Sequence, residues 1–424
     1  IEFNNKSYFS LLVTLGMGVG IMCYGFNEAP ILSQYSDVRN PISLCLTHWI
    51  IVPWSIYLAF TIFEIYDLKY KLLPDKLRTI KTYLYGLMMM NGIGISFALG
   101  VNSISDSLRT IYGIDIPSYA LVILLGGAVT ISLLRGIHKG MKVLSNFSMY
   151  LLYIFMIVLI IVAPNSTGSN FAVSIKDFFT DFVYNNVYRG SEVQNAWTCY
   201  YWIWWIGWAA FVAPFVVTIS KGRSIRSIVL FTVILPSILI AVYMILGNSI
   251  GLNFLSQGVE TSMIPFESIK FHWLMPIVFI LLMTLFYVTS SDSQSFAMDC
   301  LISKGSKTPI VYRKILWVFL EVLFVTILLL AGSGTISAIQ GLGFLLTPLM
   351  IIFAVINVVL ITKFLIKTKF KFNYKEESDD TLEFPSIDSA KEYFNSHQDD
   401  LYNNRKVVIG GVNYKVLNDE LVLK

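Results

Sequence analysis

The sequence predicts an all-α polytopic membrane protein with ten transmembrane helices. Of its 424 residues, 55% are hydrophobic and only 14% are charged, and the mean hydropathy is +0.66. An ordinary soluble domain carries about 25% charged residues, whereas a lipid bilayer solvates a chain as apolar as this one. The net charge of +4 gives no sign of a nucleic-acid partner. The four cysteines and four histidines are scattered, which argues against a zinc site and a membrane metalloenzyme. Since the sequence shows no catalytic constellation, we expect neither an enzyme nor a bound cofactor.

Ten apolar stretches of about 20 residues predict the helices that cross the membrane. They are 7–27, 41–65, 82–103, 117–135, 143–163, 197–219, 227–250, 271–290, 313–332 and 340–366. The stretch 170–186 is shorter, and its apolar residues alternate with Lys176, Asp177 and Asp181. This amphipathic pattern predicts a helix that lies in the membrane interface without crossing it.

The positive charges between the predicted helices alternate from one loop to the next. One set of loops carries Lys69, Lys71, Lys76, Arg78, Lys81, Arg135, Lys139, Lys142, Lys221, Arg223, Arg226, Lys304, Lys307, Arg313 and Lys314, and the other carries Arg39, Arg109, Lys176, Arg189 and Lys270. Loops rich in Lys and Arg lie on the cytoplasmic side of a membrane. Both termini of this chain are therefore predicted to be cytoplasmic.

Ten helices that begin on the cytoplasmic side fit a five-plus-five inverted repeat, which places a substrate near the middle of the bilayer. Repeat one would cover about 7–163 and repeat two about 197–366, so that a transmembrane transporter core spans 1–366. The residues 367–424 are charged and polar and form a cytoplasmic tail in this prediction. Within the tail, 405–418 resembles a β-hairpin around Gly410 and Gly411. A regulatory element and a partly disordered extension both remain open for the tail.

The most unusual stretch is Trp197–Trp208, which holds five of the nine tryptophans and two tyrosines. A quaternary ammonium has no N–H group to donate, but the faces of aromatic rings attract it through cation–π interactions. On an ideal helix Trp205 and Trp208 lie about 60° apart and can line one face. The stretch therefore suggests an aromatic cage for such a cation. A lipid-facing aromatic belt is the alternative.

A second aromatic set lies in the second predicted helix. Trp49, Trp54 and Tyr57 fall within an arc of about 140° on an ideal helix and suggest further walls of a cage, although simple packing is the alternative. Pro53 between them predicts a kink.

Two polar or flexible stretches complete the candidate site. Gly16, Gly18 and Gly20 alternate within the first predicted helix, which favours either local unwinding or close helix packing. The hydroxyl groups around Thr289 suit a hard cation such as sodium, but they also suit hydrogen bonds within the helix. Asp292 is expected near the cytoplasmic end, where it either pairs with an arginine as a gate or is solvated.

Taken together, these motifs resemble the betaine/choline/carnitine transporter family. The resemblance rests on Trp197–Trp208 followed by ISKGRSIR (219–226), on Gly16–Gly20 with Tyr24, Gly25 and Glu28, on His48, Trp49, Pro53, Trp54 and Tyr57, and on 136–146 and 288–293. These matches keep the family's order from near residue 1 to about residue 300. Family members usually have two further helices before the glycine-rich one, so we expect an N-terminally short form.

The family resemblance implies a leucine-transporter (LeuT)-like core, a homotrimer with contacts at 170–186, and a multi-pass location in the plasma (inner) membrane of a prokaryote. It implies a small-molecule substrate with a trimethylammonium group. The implied substrate-binding residues are Trp49, Trp54, Tyr57 and Trp205 as the central cage, Trp204 and Trp208 along the path beneath it, and Met17, Gly18 and Gly20 in the glycine stretch. The implied sodium site uses Thr289 and Ser290 with carbonyl groups near Thr14, Met17 and Phe286.

Two details refine the expected function. Gly20 stands where choline-type members of the family resemble GMGxD, and the missing acid favours a zwitterion such as glycine betaine. The stretch from Leu87 to Gly100 contains no Lys or Arg that would replace a sodium ion. We therefore predict a sodium-coupled transporter of glycine betaine-like solutes that works by alternating access. A sodium-independent exchanger and a transporter-derived solute sensor are the alternatives.

Overall fold

The structure is a computed structural model that describes residues 2–302 and 311–368, together with 382–384, 386, 388, 406–409, 412–417 and 420–423. Lys304, Lys307, Gly410 and Gly411, on which some of the predictions rest, lie outside these residues. The chain divides into two compact units, Ile1–Ile361 and Thr362–Lys424. The first unit contains the aromatic and glycine-rich motifs.

The described residues form sixteen α-helices. They are α1 (Asn5–Met17), α2 (Gly20–Leu32), α3 (Pro41–Trp49), α4 (Ile51–Tyr70), α5 (Asp75–Tyr112), α6 (Ser118–Leu134), α7 (Lys142–Val162), α8 (Thr167–Thr180), α9 (Phe182–Asn186), α10 (Cys199–Ile219), α11 (Ile225–Val229), α12 (Leu235–Ser256), α13 (Ile264–Glu267), α14 (Leu274–Ile302), α15 (Val311–Ala331) and α16 (Ser333–Lys367). Three π-helical turns, Ile137–Met141, Gln194–Thr198 and Leu230–Ile234, directly precede α7, α10 and α12.

The described part of the chain has the architecture of a polytopic membrane protein. Eight helical segments are long and apolar enough to cross a bilayer, and the bent pair α1–α2 would make a ninth. α6 is equally apolar in character but has 17 residues, at the lower limit for a spanning helix. The helical membrane fold is thus confirmed for the first unit, whereas the count of ten spanning helices stays a prediction.

The first predicted helix is broken in the middle. α1 ends at Met17, α2 begins at Gly20, and the two axes differ by 59°. Between them Gly18 has φ +62° and ψ −172°, a backbone conformation that is essentially restricted to glycine. Gly16 has a different role, because a Cβ there would lie 2.6 Å from the ring of Trp54. Unwinding and close packing therefore both occur in this stretch, at different glycines.

The second predicted helix is also interrupted. α3 ends at Trp49, and Ile50 has φ −102° and ψ −111° before α4 begins. Pro53 then falls in the first turn of α4, where backbone N–H groups have no partner within the helix. The kink predicted at Pro53 is not observed there; the helix is instead broken at Ile50, three residues earlier.

Close packing around α2 holds the broken helix in place. Cβ atoms built at Gly247 and Gly251 of α12 would lie 2.3 Å and 1.8 Å from the carbonyl oxygens of Gly25 and Phe26. Asn248, between them, accepts a hydrogen bond from the backbone N–H of Ala29 at 2.8 Å. α12 thus approaches the backbone of α2 as closely as only glycine allows.

The predicted interfacial stretch is helical and consists of α8 and α9. Three polar contacts join it to the region around α3: Arg39–Asp181 at 2.7 Å, Asn40–Asp177 at 2.9 Å and Asn185–Thr47 at 3.3 Å. Its helical character agrees with the prediction, while its place in the membrane interface stays a prediction.

A charged cluster joins the end of α4 to the start of α5. Lys81 Nζ contacts Glu64 at 2.9 Å and Asp67 at 3.2 Å, and Arg78 contacts Asp67 at 3.2 Å. Because α5 begins at Asp75, Lys81 belongs to a helix and is buried, although the sequence analysis counted it among the loop charges.

The second unit contains a four-stranded sheet. Its strands are β1 (Leu382–Phe384), β2 (Lys406–Ile409), β3 (Val412–Leu417) and β4 (Glu420–Leu423), in the order β1-β2-β3-β4. β1 and β2 are parallel, whereas β2–β3 and β3–β4 are antiparallel. The hairpin predicted within 405–418 is confirmed by the pairing of β2 with β3.

Candidate functional site: a cavity lined by aromatic rings

The helix break between α1 and α2 borders a cavity with about 280 Å³ of water-accessible space. Seven of the predicted substrate-binding residues line it: Met17, Gly18, Gly20, Trp49, Trp204, Trp205 and Trp208. The cavity also reaches Asp106 near the end of α5 and Ser262 before α13. The structure thus brings the glycine stretch and the tryptophan-rich helix to one space.

Five rings form what we call the aromatic wall of this cavity: Trp49, Tyr201, Trp204, Trp205 and Trp208. The ring centroids of Trp49 and Trp205 are 5.3 Å apart at an interplanar angle of 70°. Trp205 stacks on Tyr201 at 5.8 Å, and Trp204 stacks on Trp208 at 5.9 Å. These spacings are typical of packed aromatic pairs. Rings at an angle around a cavity are the arrangement in which a cation can contact several ring faces within about 6 Å.

Trp54 and Tyr57 lie one layer behind the aromatic wall and do not line the cavity. The ring of Trp54 packs on Gly16, and the Tyr57 hydroxyl donates to the carbonyl of Gly16 at 3.2 Å. The expectation that both side chains face the substrate assumed one continuous helix with Trp49. The break at Ile50 removes that relation, and in this structure the two residues support the end of α1. Their place in the cage, which the family resemblance implies, stays a prediction.

Side chains from three other helices bind the carbonyl groups at the end of α1. The last four carbonyls of a helix have no partner within it. Ser290 donates to Thr14 O at 3.0 Å, Trp208 Nε1 to Leu15 O at 3.4 Å and Tyr57 to Gly16 O at 3.2 Å. The broken helix end is therefore stabilised by tertiary contacts with α14, α10 and α4.

The residues of the predicted sodium site meet at the contact between α1 and α14. Ser290 reaches the Thr14 carbonyl, as above, whereas Thr289 donates to the carbonyls of Leu285 at 2.8 Å and Phe286 at 3.3 Å within its own helix. Met17 and Phe286 line a common small apolar cavity. The donor atoms near this point are hydroxyl and carbonyl oxygens, which fits a hard cation.

The candidate gate residue Asp292 is fully buried and has serine partners. It accepts hydrogen bonds from Ser132 of α6 and from Ser293. Nearby, Glu321 of α15 accepts hydrogen bonds from Ser291 and Ser295. Among the described residues, neither the arginine partner nor the solvated position expected for Asp292 is observed, because α14 continues to Ile302 and keeps this residue inside the helix bundle.

Glu28 of α2 contacts the aromatic wall from behind, a position that sequence patterning did not predict. Its fully buried carboxylate accepts hydrogen bonds from Trp49 Nε1 at 2.5 Å and from the Tyr201 hydroxyl at 2.8 Å, and it lies 2.7 Å from His48 Nδ1. In the sequence, Glu28 was identified only as part of a motif that resembles the family. The signal that points to it is an ionisable residue inside an apolar stretch, which is a functional candidate by default.

Comparison with known proteins adds to this geometry. A model of the "betaine/carnitine/choline family transporter" family matches residues 1–369. The chain is 24% identical over 389 residues to glycine betaine transporter 1 of Vibrio parahaemolyticus, covering 80% of this chain and 74% of the relative. It is 26% identical over 391 residues to the glycine betaine transporter OpuD of Bacillus subtilis, with 81% and 76% covered. For a glycine betaine transporter of Acinetobacter baylyi, 26% identical over 381 residues, the shares are 79% and 57%.

Among solved structures, a single-residue mutant of the Eremococcus coleocola manganese transporter superposes with a TM-score of 0.53 at 11% identity. The match covers 83% of this chain and 77% of that one. At this identity the similarity concerns the fold alone, which is the leucine-transporter-like arrangement that the sequence predicts. The family model covers most of the sequence, including the cavity and every residue of the aromatic wall. This chain therefore belongs to the betaine/carnitine/choline family of transporters.

Proposed function

We propose that the protein is a secondary active transporter of glycine betaine-like quaternary-ammonium solutes, coupled to sodium and working by alternating access. The observation that carries the proposal is the aromatic wall. A trimethylammonium group cannot donate hydrogen bonds, so ring faces at an angle around a cavity are the chemistry that recognises it. The names of the relatives from Vibrio and Bacillus, both glycine betaine transporters, support the same substrate class.

The broken helix supports a zwitterionic substrate. α2 begins at Gly20, beside the cavity, and the N-terminus of a helix presents free N–H groups and the positive end of the helix dipole. A carboxylate would be stabilised there while the ammonium group contacts the aromatic wall. Gly20 adds no acidic side chain at this point, which favours betaine over a substrate that carries only a positive charge.

The contact between Ser290 and the Thr14 carbonyl supports sodium coupling. A sodium ion bound there would hold the end of α1 to α14 and so favour one arrangement of the bundle. The cavity extends to Asp106 and Ser262, on the side opposite to the Lys-rich loops. The ion and the substrate would therefore be loaded from outside the cell, and rocking of the bundle would open the cavity to the cytoplasm. In this scheme the contact of Asp292 with Ser132 of α6, in place of the expected arginine, would act as the gate on the cytoplasmic side.

The proposal also covers the assembly of the protein and its orientation in the membrane. The α8–α9 segment carries exposed apolar residues such as Phe179 and Val183, and it would form the contact between the protomers of a homotrimer. Both termini of the chain would lie in the cytoplasm.

The test is uptake of radiolabelled glycine betaine into proteoliposomes that contain the full chain, with and without an inward sodium gradient. Uptake that requires the gradient is the expected result. Uptake only into vesicles preloaded with betaine would replace the symporter with an exchanger. Binding without uptake under both conditions would favour a solute sensor, and the absence of binding in folded protein would contradict the substrate assignment.

A further inference from the structure

Glu28 lies behind the aromatic wall, where it does not line the cavity, yet it binds two of the wall's polar groups. We propose that Glu28 is a positioning residue that sets both the orientation and the electron density of the rings that bind the cation. This inference rests on the proposed function, because it concerns how the same site recognises its substrate. The residue itself touches no substrate.

The burial of Glu28 shows how strongly it is held. Its side chain is 0% exposed, and a buried carboxylate is tolerated only when hydrogen bonds satisfy its oxygens. Oε1 faces His48, and Oε2 accepts from both Trp49 and Tyr201. The carboxylate thus joins α2, α3 and α10 at a single point. Removing it would leave the indole N–H of Trp49 and the Tyr201 hydroxyl, both buried, without this acceptor.

The two residues whose side chains donate to Glu28 lie next to irregular stretches of backbone. Trp49 is the last residue of α3, directly before the break at Ile50, and Tyr201 follows the π-helical turn Gln194–Thr198 in the next turn of α10. Regular helix geometry does not determine where side chains point at such places. A shared acceptor with two short, directional hydrogen bonds does. Glu28 therefore replaces the orientation that a continuous helix would have provided.

His48 connects Glu28 to a third ring, that of Trp205. Its Nε2 lies 3.1 Å from the Thr198 hydroxyl, its ring stacks on Tyr201 at 4.4 Å, and its backbone carbonyl accepts a hydrogen bond from Trp205 Nε1 at 2.8 Å. Through His48, the position of Trp205 depends on the same carboxylate. One acidic residue thus controls three rings of the aromatic wall, Trp49 and the stacked pair Tyr201 and Trp205 that it meets at an angle.

The carboxylate also acts on the rings electronically. A negatively charged acceptor polarises an N–H or O–H donor and moves electron density into the attached ring. Cation–π attraction grows with the negative charge on the ring face. The rings of Trp49 and Tyr201 should therefore bind a cation more strongly than unperturbed indole and phenol. Glu28 would add this attraction without placing a negative side chain in the cavity, where it would repel the carboxylate of a zwitterion.

The experiment compares glycine betaine with 3,3-dimethylbutanoate, which has the same shape but carbon in place of the charged nitrogen. Affinities for the purified full chain are measured by displacement of radiolabelled betaine or by tryptophan fluorescence. In Glu28→Gln we expect the affinity for betaine to fall about tenfold, while the affinity for the isostere without the ammonium charge falls by less than about twofold. The readout is the ratio of the two affinities. A merely structural role would lower both affinities equally and leave this ratio unchanged. Glu28→Asp, which keeps the charge, should restore much of the ratio.

Two further variants keep the test decisive if Glu28→Gln folds poorly. Tyr201→Phe removes one donor to the carboxylate and keeps the ring, and it should lower the ratio about threefold. Glu192→Gln is the matched control at an exposed glutamate and should leave both affinities unchanged. Equal losses for the two ligands in folded Glu28→Gln or Tyr201→Phe, or no loss at all, would overturn the inference alone. A wild-type chain that binds neither ligand would overturn the proposed function, and the inference with it.

Discussion

The helices that begin the two predicted repeats differ in their backbone. The first is broken into α1 and α2 around Gly18 and Val19, with a bend of 59°. Its counterpart α10 continues without a break from Cys199 to Ile219, although it contains Gly207 and Pro214, and it is irregular only in the π-helical turn that precedes it. Both helices border the same cavity.

The difference indicates that the broken helix contributes backbone groups to the cavity, whereas the continuous helix contributes side chains. The broken helix exposes carbonyl groups at the end of α1 and N–H groups at the start of α2, which are suited to an ion and a carboxylate. The continuous helix has no such break at the cavity and presents indole and phenol rings, which are suited to an ammonium group. The two surfaces meet where a Cβ at Gly18 would lie 3.7 Å from the ring of Trp208. Substitutions on each side should therefore impair different parts of transport.

The largest effect is expected for Gly18→Ala. The nearest ring leaves enough space for the methyl group, but a φ of +62° with a ψ of −172° strains any other residue by about 1–3 kcal/mol. Betaine uptake should fall about tenfold to a hundredfold because the helix break changes shape. Initial rates in proteoliposomes measure this effect. Unchanged uptake by Gly18→Ala would mean that the break has no part in transport.

The next effect tests the aromatic side of the comparison. Trp205→Ala removes a ring that is 2% exposed together with its hydrogen bond to the His48 carbonyl. The affinity for betaine should fall about thirtyfold, since a desolvated cation–π contact contributes about 2 kcal/mol. Calorimetric titration measures the affinity, and Trp205→Phe, which keeps a ring face, should lose much less. Equal affinities of Trp205→Ala and wild type would exclude this ring from the binding site.

A smaller and more specific effect is expected for Ser290→Ala. This change removes the hydroxyl that reaches the Thr14 carbonyl, so the sodium concentration for half-maximal uptake should rise about tenfold. Thr284→Val is the matched control, because the Thr284 hydroxyl bonds only to the Ile280 carbonyl within the same helix among the contacts described here. Sodium dependence that is identical in all three proteins would place the ion elsewhere.

The smallest effect is expected for Gly207→Ala, the counterpart of Gly18→Ala in the continuous helix. A Cβ there would lie 2.8 Å from Met88 Cε, the mobile end of a flexible side chain, and alanine favours a helix over glycine by about 1 kcal/mol. Uptake should change by less than about twofold. A loss as large as that of Gly18→Ala, in the same uptake assay, would show that α10 also needs glycine for a conformational change.

The prediction from helical periodicity agrees with the structure for α10 but not across the break between α3 and α4. The sequence predicted that Trp205 and Trp208 share a side of their helix, and both line the cavity, because α10 is regular there. It also grouped Trp49 with Trp54 and Tyr57, which the structure separates. Helical periodicity is a reliable guide only while the helix continues, and the break at Ile50 lies between these residues.

Glu28 illustrates a different limit. Its partners Trp49 and Tyr201 are 21 and 173 residues away in the sequence, and nothing in local patterning relates them. The same holds for Asp292, which was expected either to pair with an arginine or to be solvated and instead binds Ser132 of α6. A buried acidic residue can be recognised in the sequence as unusual, but its partners depend on how distant helices pack.

The membrane character, the helical architecture, the family and the cavity-lining tryptophans of α10 could all be predicted from the amino-acid sequence. These features depend on composition, on the length of apolar stretches and on motifs of a few residues, which act locally. Contacts between distant segments set which glycine breaks the helix, which aromatic residues reach the cavity and which donors bind the carboxylate of Glu28. These features depend on contacts such as Gly251 with Phe26 and Trp205 with His48, which form only when segments far apart in the chain come together.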